Sequence, residues 1–196
     1  MKKVLVAYST LSGTTADVAR TIAEELKTFS RFDVNLASLA EIKDLPSYDA
    51  YIIGGPMIVG WHRDVKMFLA KNQTVFSGKP LALFATAMSL TQSGETEISS
   101  VPVFVDPGLA VLPANPARLT FKEKYAAIPT YVQPMLAACG KAKPVSVALL
   151  GGRLDLYRLK LWAVLFVTLI IHAQPGEKRN WKAIKEWTDQ LASVFS

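Results

Sequence analysis

Between Ser9 and Thr15 the chain reads Ser-Thr-Leu-Ser-Gly-Thr-Thr: five hydroxyl side chains, one glycine and no charge. Neutral donors grouped in this way suit an anion that is held without a side-chain cation. A nucleoside-triphosphate loop would end in Gly-Lys-Ser/Thr, with the lysine on the phosphates, and a dinucleotide loop would carry three spaced glycines. Here there is one glycine, Gly13, and no lysine. The chemistry that remains is a single phosphate monoester bound by hydroxyls and backbone N–H groups. The rest of the chain offers no Ser-His-Asp set, no paired carboxylates and no metal-ligand spacing, so no catalytic residue and no metal site are assigned.

Such a loop needs a strand before it and a helix after it. Val4, Leu5 and Val6 end an apolar, β-branched run that reads as a buried strand. From Ala16 the pattern turns helical, with Ala19, Ile22, Ala23 and Leu26 on one face. A loop at a helix N-terminus presents unpaired N–H groups and the positive end of the helix dipole, which attract phosphate. Gly13 lets the backbone come close to the anion.

Strand and helix patterns alternate along the remainder as a doubly wound α/β sheet requires. Strands are expected at 32–36, 50–53, 81–85 and 145–150, and helices at 62–71 and 182–195. The last helix places Trp181, Ile184, Trp187, Leu191 and Val194 at steps of three and four. Five strands connected in this way predict one domain over 1–196 with a parallel sheet of order 2-1-3-4-5. Ligands then sit beyond the carboxyl ends of the strands, at the switch point between the first and third. The loops there are Ser9–Thr15, Gly54–Trp61 and Thr86–Leu90, and none holds an acidic residue.

The net charge of +6 is unevenly placed. Residues 1–100 hold ten Lys/Arg and ten Asp/Glu, whereas 101–196 hold twelve and six. A basic half suits an acidic small molecule or an anionic membrane surface; a nucleic-acid partner is not expected. The single cysteine, Cys139, excludes an internal disulfide and a cysteine metal cluster, and follows Leu136-Ala137-Ala138 as a small buried hydrophobe would. Met1-Lys2-Lys3 leads into the first strand without a signal-peptide pattern, so a cytoplasmic location is expected.

Two stretches exceed a minimal sheet. Residues 95–118 hold four prolines (102, 107, 113 and 116) and read as an irregular insertion, covering a ligand edge, a partner surface or nothing functional. Residues 161–171 are apolar except for Thr168, within a helix expected at about 157–173. Eleven helical residues reach about 17 Å, too short for a hydrocarbon core of roughly 30 Å. That helix lies in a membrane interface, is buried, or forms a homo-oligomer contact. His172 ends it, where a dipole or interfacial role is more natural than catalysis.

Tyr8, Thr10, Gly13, Thr15, Ala19 and Ile22 stand at the spacing of the flavodoxin signature, with Ala7 as the one departure, and the chain therefore resembles the flavodoxin-like proteins. The resemblance implies FMN. On it, Thr10, Ser12, Thr14 and Thr15 side chains and the backbone of Leu11 and Gly13 hold the phosphate. Thr86, Ala87, Met88, Ser89 and Leu90 run along the flavin ring with their backbone groups, Gly60 and Trp61 meet its other face, with Trp61 alternatively a core or surface aromatic without flavin contact, and Gly152 lies at the same edge. The 86–90 loop has no aromatic, which leaves one ring face open. His62 is either a proton donor near the flavin or an exposed first-turn residue. Arg153 meets either a substrate carboxylate and the flavin O2 region or a surface ion pair.

The motifs I-G-G-P-M-I-V-G-W-H (53–62), G-G-R-L-D-L-Y-R (151–158) and N-W-K-A-I-K-E-W (180–187), with the apolar stretch between the last two, are similar to the menaquinone-dependent protoporphyrinogen IX dehydrogenase branch. That likeness implies an oxidoreductase passing electrons from a porphyrinogen-type donor through FMN to a quinone, at the cytoplasmic face of an anionic membrane. The insertion and Pro56-Met57 depart from the branch. The competing readings are a one-electron carrier of the flavodoxin type and a flavodoxin-like binding module without flavin.

Overall fold

The computed structural model describes residues 1–57, 61–92, 94–154 and 176–196. The expected helix at 157–173, the 161–171 stretch, His172 and Gly60 lie outside these residues.

In chain order the elements are β1 (Lys2–Tyr8), α1 (Thr14–Lys27), β2 (Phe32–Ser38), β3 (Ala50–Pro56), α2 (Arg63–Lys71), α3 (Gln73–Phe76) and β4 (Leu81–Ala87). Short strands β5 (Leu90–Thr91), β6 (Glu97–Ile98), β7 (Val101–Val105) and β8 (Ala110–Val111) follow, then α4 (Phe121–Tyr125) and α5 (Ile128–Cys139). The chain closes with β9 (Ser146–Gly151), β10 (Arg153–Leu154), β11 (Gly176–Glu177) and α6 (Trp181–Val194).

The main sheet has the order β2-β1-β3-β4-β9-β7-β6. Its first five members are the expected 2-1-3-4-5 arrangement, with β9 as the fifth strand and every pair parallel. The insertion adds the other two strands, with β7 parallel to β9 and β6 antiparallel to β7. It is therefore not irregular throughout. Val101 and Val103 are buried while Pro102 between them is exposed, the period-2 pattern of a half-buried strand. Pro102 lacks an N–H, and pairing with β9 begins only at Val103.

The strand interiors pack apolar side chains on both faces, as parallel sheets covered by helices do. Leu5, Ala7, Tyr51, Ile53, Leu81, Leu83 and Ala85 face α2, α3 and α5. Val4, Val6, Ile52, Ala82 and Phe84 face α1 and α6. Gly54 is required by this packing, since a Cβ there would stand 2.2 Å from the Phe84 ring. Cys139 is fully buried, as its apolar setting implied, and burial pushes its thiol up to about 12. The α6 stripe is centred on Ile184, Trp187 and Leu191. Trp181 and Val194, expected on it, lie at its margins and are 42% and 52% exposed, and the Arg179 guanidinium stacks over the Trp181 ring. Among the described residues no helix is long and apolar enough to cross a membrane.

Candidate functional site

At the carboxyl edge of the sheet, backbone hydrogen bonds lace the expected loops together. Ser9 N–H donates to Gly54 O at 3.0 Å, Met57 N–H to Thr86 O at 2.8 Å, and Gly152 N–H to Ala87 O at 2.7 Å. The loops after β1, β3, β4 and β9 thus converge, as the strand order requires.

Within the first loop, Gly13 adopts φ 89°, a left-handed conformation that favours glycine, and caps α1 without any side-chain hydrogen bond to the helix N-terminus. Thr10 Oγ1 accepts the Gly13 N–H at 2.9 Å, which folds the loop and leaves the Thr10 hydroxyl proton free of that contact. Thr10, Ser12 and Gly13 are half-buried, and Leu11 is 53% exposed. The two threonines that begin α1 turn inward. Thr15 Oγ1 meets Thr86 Oγ1 at 3.0 Å, both side chains being buried. One of these hydroxyls donates to the other, so a single proton of the pair remains for a ligand. The Thr14 hydroxyl donates to Arg153 O at 3.0 Å, so in this structure its proton is directed at β10.

The other expected contacts divide. Ala87 and Gly152 are buried at the edge, Met88 is half-buried and Ser89 is exposed. Leu90 has a fully buried side chain and its N–H donates to Leu109 O at 3.1 Å, because β5 pairs with the insertion strand β8. Trp61 is 2% exposed and joins the core on the α2 side of the sheet, bridged to Met57, so it presents no exposed ring face. Its indole N–H is nonetheless buried without a hydrogen-bond partner among the described residues. His62 is not the exposed first-turn residue of the second expectation. It is the N-cap of α2, its side chain is 17% exposed, and its Nδ1 accepts the Asp64 N–H at 3.4 Å. Ser9 Oγ lies 3.1 Å from the same nitrogen, so the first and second loops are joined through this side chain.

Arg153 begins β10 opposite Glu177 in β11. Its charge helps to hold the Glu177 carboxyl below the usual range, although the main cause is the hydrogen bond from Arg179. Arg179 in turn reaches Asp17 in the first turn of α1 at 2.7 Å. Glu177 and Asp17 raise the Arg179 pKa, the hydrogen bond with Glu177 foremost. The β10–β11 pair is thereby fastened to the helix that carries the phosphate loop.

Asp106, which sequence reasoning passed over, is completely buried. It accepts hydrogen bonds from Gly108 N–H at 2.9 Å, Asn180 Nδ2 at 3.0 Å and Gly151 N–H at 3.1 Å. Asn180 is also the N-cap of α6. One carboxylate thus ties the ends of β7 and β9 to α6. The Asp-Pro-Gly run at 106–108 was the available signal, as a turn whose Asx side chain bonds the backbone two residues on. Beside it, Gly151 admits no side chain, for a Cβ there would stand 1.8 Å from Lys178 O.

The donor set fits FMN. The N-terminus of α1, a glycine at positive φ and the hydroxyls of Thr10, Ser12 and the Thr15–Thr86 pair are the neutral donors that a phosphate monoester takes.

Residues 5–180 match the sequence model of the flavodoxin domain. No curated protein sequence matches the chain significantly. Among solved structures, a short-chain flavodoxin associated with a non-canonical PDU bacterial microcompartment aligns over 100% of both chains, with TM-score 0.58 and 13% identity. This likeness is one of fold. A flavodoxin from the domain Archaea aligns over 98% of each chain at TM-score 0.49 and 17% identity. The flavodiiron protein from Giardia intestinalis is matched over only 37% of its own length, at TM-score 0.46 and 12% identity. The signature loop, the sheet order and the match over residues 5–180 give one conclusion: the chain belongs to the flavodoxin domain family, whose cofactor is FMN and whose business is electron transfer.

Proposed function

We propose that this flavoprotein is an oxidoreductase with its own organic substrate, taking hydrogen from a porphyrinogen-type donor and passing electrons to a quinone. The observation that carries this reading is the fastening of the β10–β11 pair to the cofactor edge through Thr14–Arg153 and Asp17–Arg179. The long segment of sequence between Leu154 and Gly176, with its apolar 161–171 stretch, starts and finishes at that pair. An apolar substrate or a membrane-borne acceptor is what a sequence of that composition suits.

When bound, the flavin supplies hydride acceptance and one- or two-electron transfer. The chain supplies position and electrostatics. Hydroxyls and backbone N–H groups of residues 10–15 hold the phosphate. The three acid-free loops place no carboxylate against the ring, and no aromatic in 86–90 covers its second face. Arg153 is exposed at the same edge, where its charge acts on Glu177.

The deciding measurement uses FMN-loaded protein with protoporphyrinogen and a soluble menaquinone analogue. Porphyrin formation that depends on the quinone is the expected result. Absence of turnover in protein that still exchanges electrons rapidly with a one-electron partner would establish the carrier reading instead.

A further inference from the structure

From Pro107 to Leu154 the chain holds six basic residues, Arg118, Lys122, Lys124, Lys141, Lys143 and Arg153, against one carboxylate, Glu123. In the same span three large apolar side chains stand in water: Phe121 is 86% exposed, Leu112 75% and Val111 59%. They are held on an ordered knob. Val111 O accepts the Gln92 N–H at 2.7 Å, and β8 pairs with β5. Thr91 Oγ1 donates to Glu123 O at 2.7 Å, and Thr91 N–H donates to Ala126 O at 2.9 Å. The Glu123 side chain closes the knob, accepting Ala114 N–H at 2.8 Å with Oε1 and both Thr120 N–H and Thr120 Oγ–H at 2.7 Å with Oε2.

Those hydrogen bonds, with the Thr120 hydroxyl foremost, hold the Glu123 carboxyl below its usual range. The one negative charge of the span is therefore turned onto neighbouring backbone, while Arg118, Lys122 and Lys124 remain exposed. Apolar tips beside cations are the make-up of a surface that enters the headgroup region of an anionic bilayer.

We propose that the knob from Val111 to Lys124 docks the protein on an anionic lipid surface. The proposal rests on the oxidoreductase reading for its purpose, since β5, on which the knob is built, directly follows the Thr86–Leu90 loop, so that docking carries the cofactor edge to the bilayer. Binding itself is independent of that reading.

The test is co-sedimentation of the FMN-loaded protein with vesicles of phosphatidylcholine alone and of an equal mixture with phosphatidylglycerol. Binding should favour the mixed vesicles and weaken with salt. The double variant Lys122→Ala/Lys124→Ala should bind them roughly thirty-fold more weakly, from about tenfold per 1.4 kcal/mol and about 1 kcal/mol per cation. Leu112→Ser/Phe121→Ser should abolish sedimentation, while FMN affinity, which reports a folded protein, stays at the wild-type value. No binding, equal binding to both vesicles, or wild-type binding by both variants would overturn the docking. Turnover with a soluble quinone is measured beside it: its absence from protein that still sediments would overturn the reaction alone.

Discussion

Thr15 and Thr86 lie seventy-one residues apart in sequence and share one buried hydrogen bond, so a change at either acts on two loops. Thr10 is the cleaner probe of the phosphate, because its hydroxyl shapes only its own loop. Thr10→Ala removes a donor to a dianion, a hydrogen bond of about 1.5–3 kcal/mol, so FMN affinity should fall roughly ten- to a hundredfold. Fluorescence titration with FMN, and with riboflavin as the control that lacks phosphate, measures this. Asp106→Ala acts instead on stability. It leaves the N–H groups of Gly108 and Gly151 without their acceptor, at about 1–3 kcal/mol each. For a chain of this length a thermal midpoint lower by roughly 5–15 °C is expected, read by calorimetry. The hydroxyl loop was legible in the sequence because its residue types are adjacent. The fate of Thr14 was not, since its acceptor on Arg153 is 139 residues away. Whether Trp61 faced ligand or core was not legible, because an apolar residue in a ligand loop reads alike in either place.

Apart from β3, which runs three residues past its expected end, the elements that followed strong periodicity, α1, β4, β9 and α6, were read from sequence with ends within about two residues, the scatter that helix and strand ends show in any case. The insertion was not. Four prolines and strands of two to five residues hide a period-2 signal that becomes visible only when β7 lies against β9. The β10–β11 pair was equally hidden, being held by side chains from α1. Its pH response follows from the direction of the Glu177 shift. A carboxyl whose folded pKa is lowered stabilises the fold above its ordinary pKa, about 4.3. That contribution is lost as the pH falls through the lower, folded value. Arg179 is shifted upward and stays charged throughout. Thermal midpoints of wild type and Glu177→Gln should therefore differ at pH 7 and draw together as the pH falls below the carboxyl's ordinary pKa. A constant difference across that range would remove the ion pair from the account. Gly151→Ala tests the same junction sterically: its Cβ would press on Lys178 O, so the segment that begins α6 must shift, at about 1–3 kcal/mol or more.

Across the whole molecule, the charge of the first hundred residues sums to zero, and the excess lies in the part that holds the knob and the β10–β11 pair. The sequence showed the imbalance without its placement. Among the described residues, Arg118, Lys122 and Lys124 of that excess are exposed on the knob, and Arg153 is exposed on β10. The global fold also governs Cys139. Burial holds its thiol near pKa 12, and the Sγ donates to Met135 O at 3.4 Å. The native protein should resist thiol reagents at pH 8, and labelling should appear only with denaturant, at the midpoint of global unfolding. Labelling well before that midpoint would mean that α5 opens on its own.

The placement of β9 between β4 and β7 has a consequence for how the chain is made. Both neighbours precede it in sequence, so the growing polypeptide holds two facing rows of unpaired N–H and C=O groups with an empty slot between them. At the ~5–20 residues per second of synthesis, that slot stays open for several seconds after Val105 has emerged. Open strand edges invite pairing with other chains, and an extended apolar segment of any nascent neighbour fits this one. Only a strand with the Val147–Leu150 pattern, brought in by its own following helix, fills the slot from within. A peptide spanning 141–196, supplied to a chain that stops at Gly140, should therefore restore a bound FMN spectrum by strand complementation.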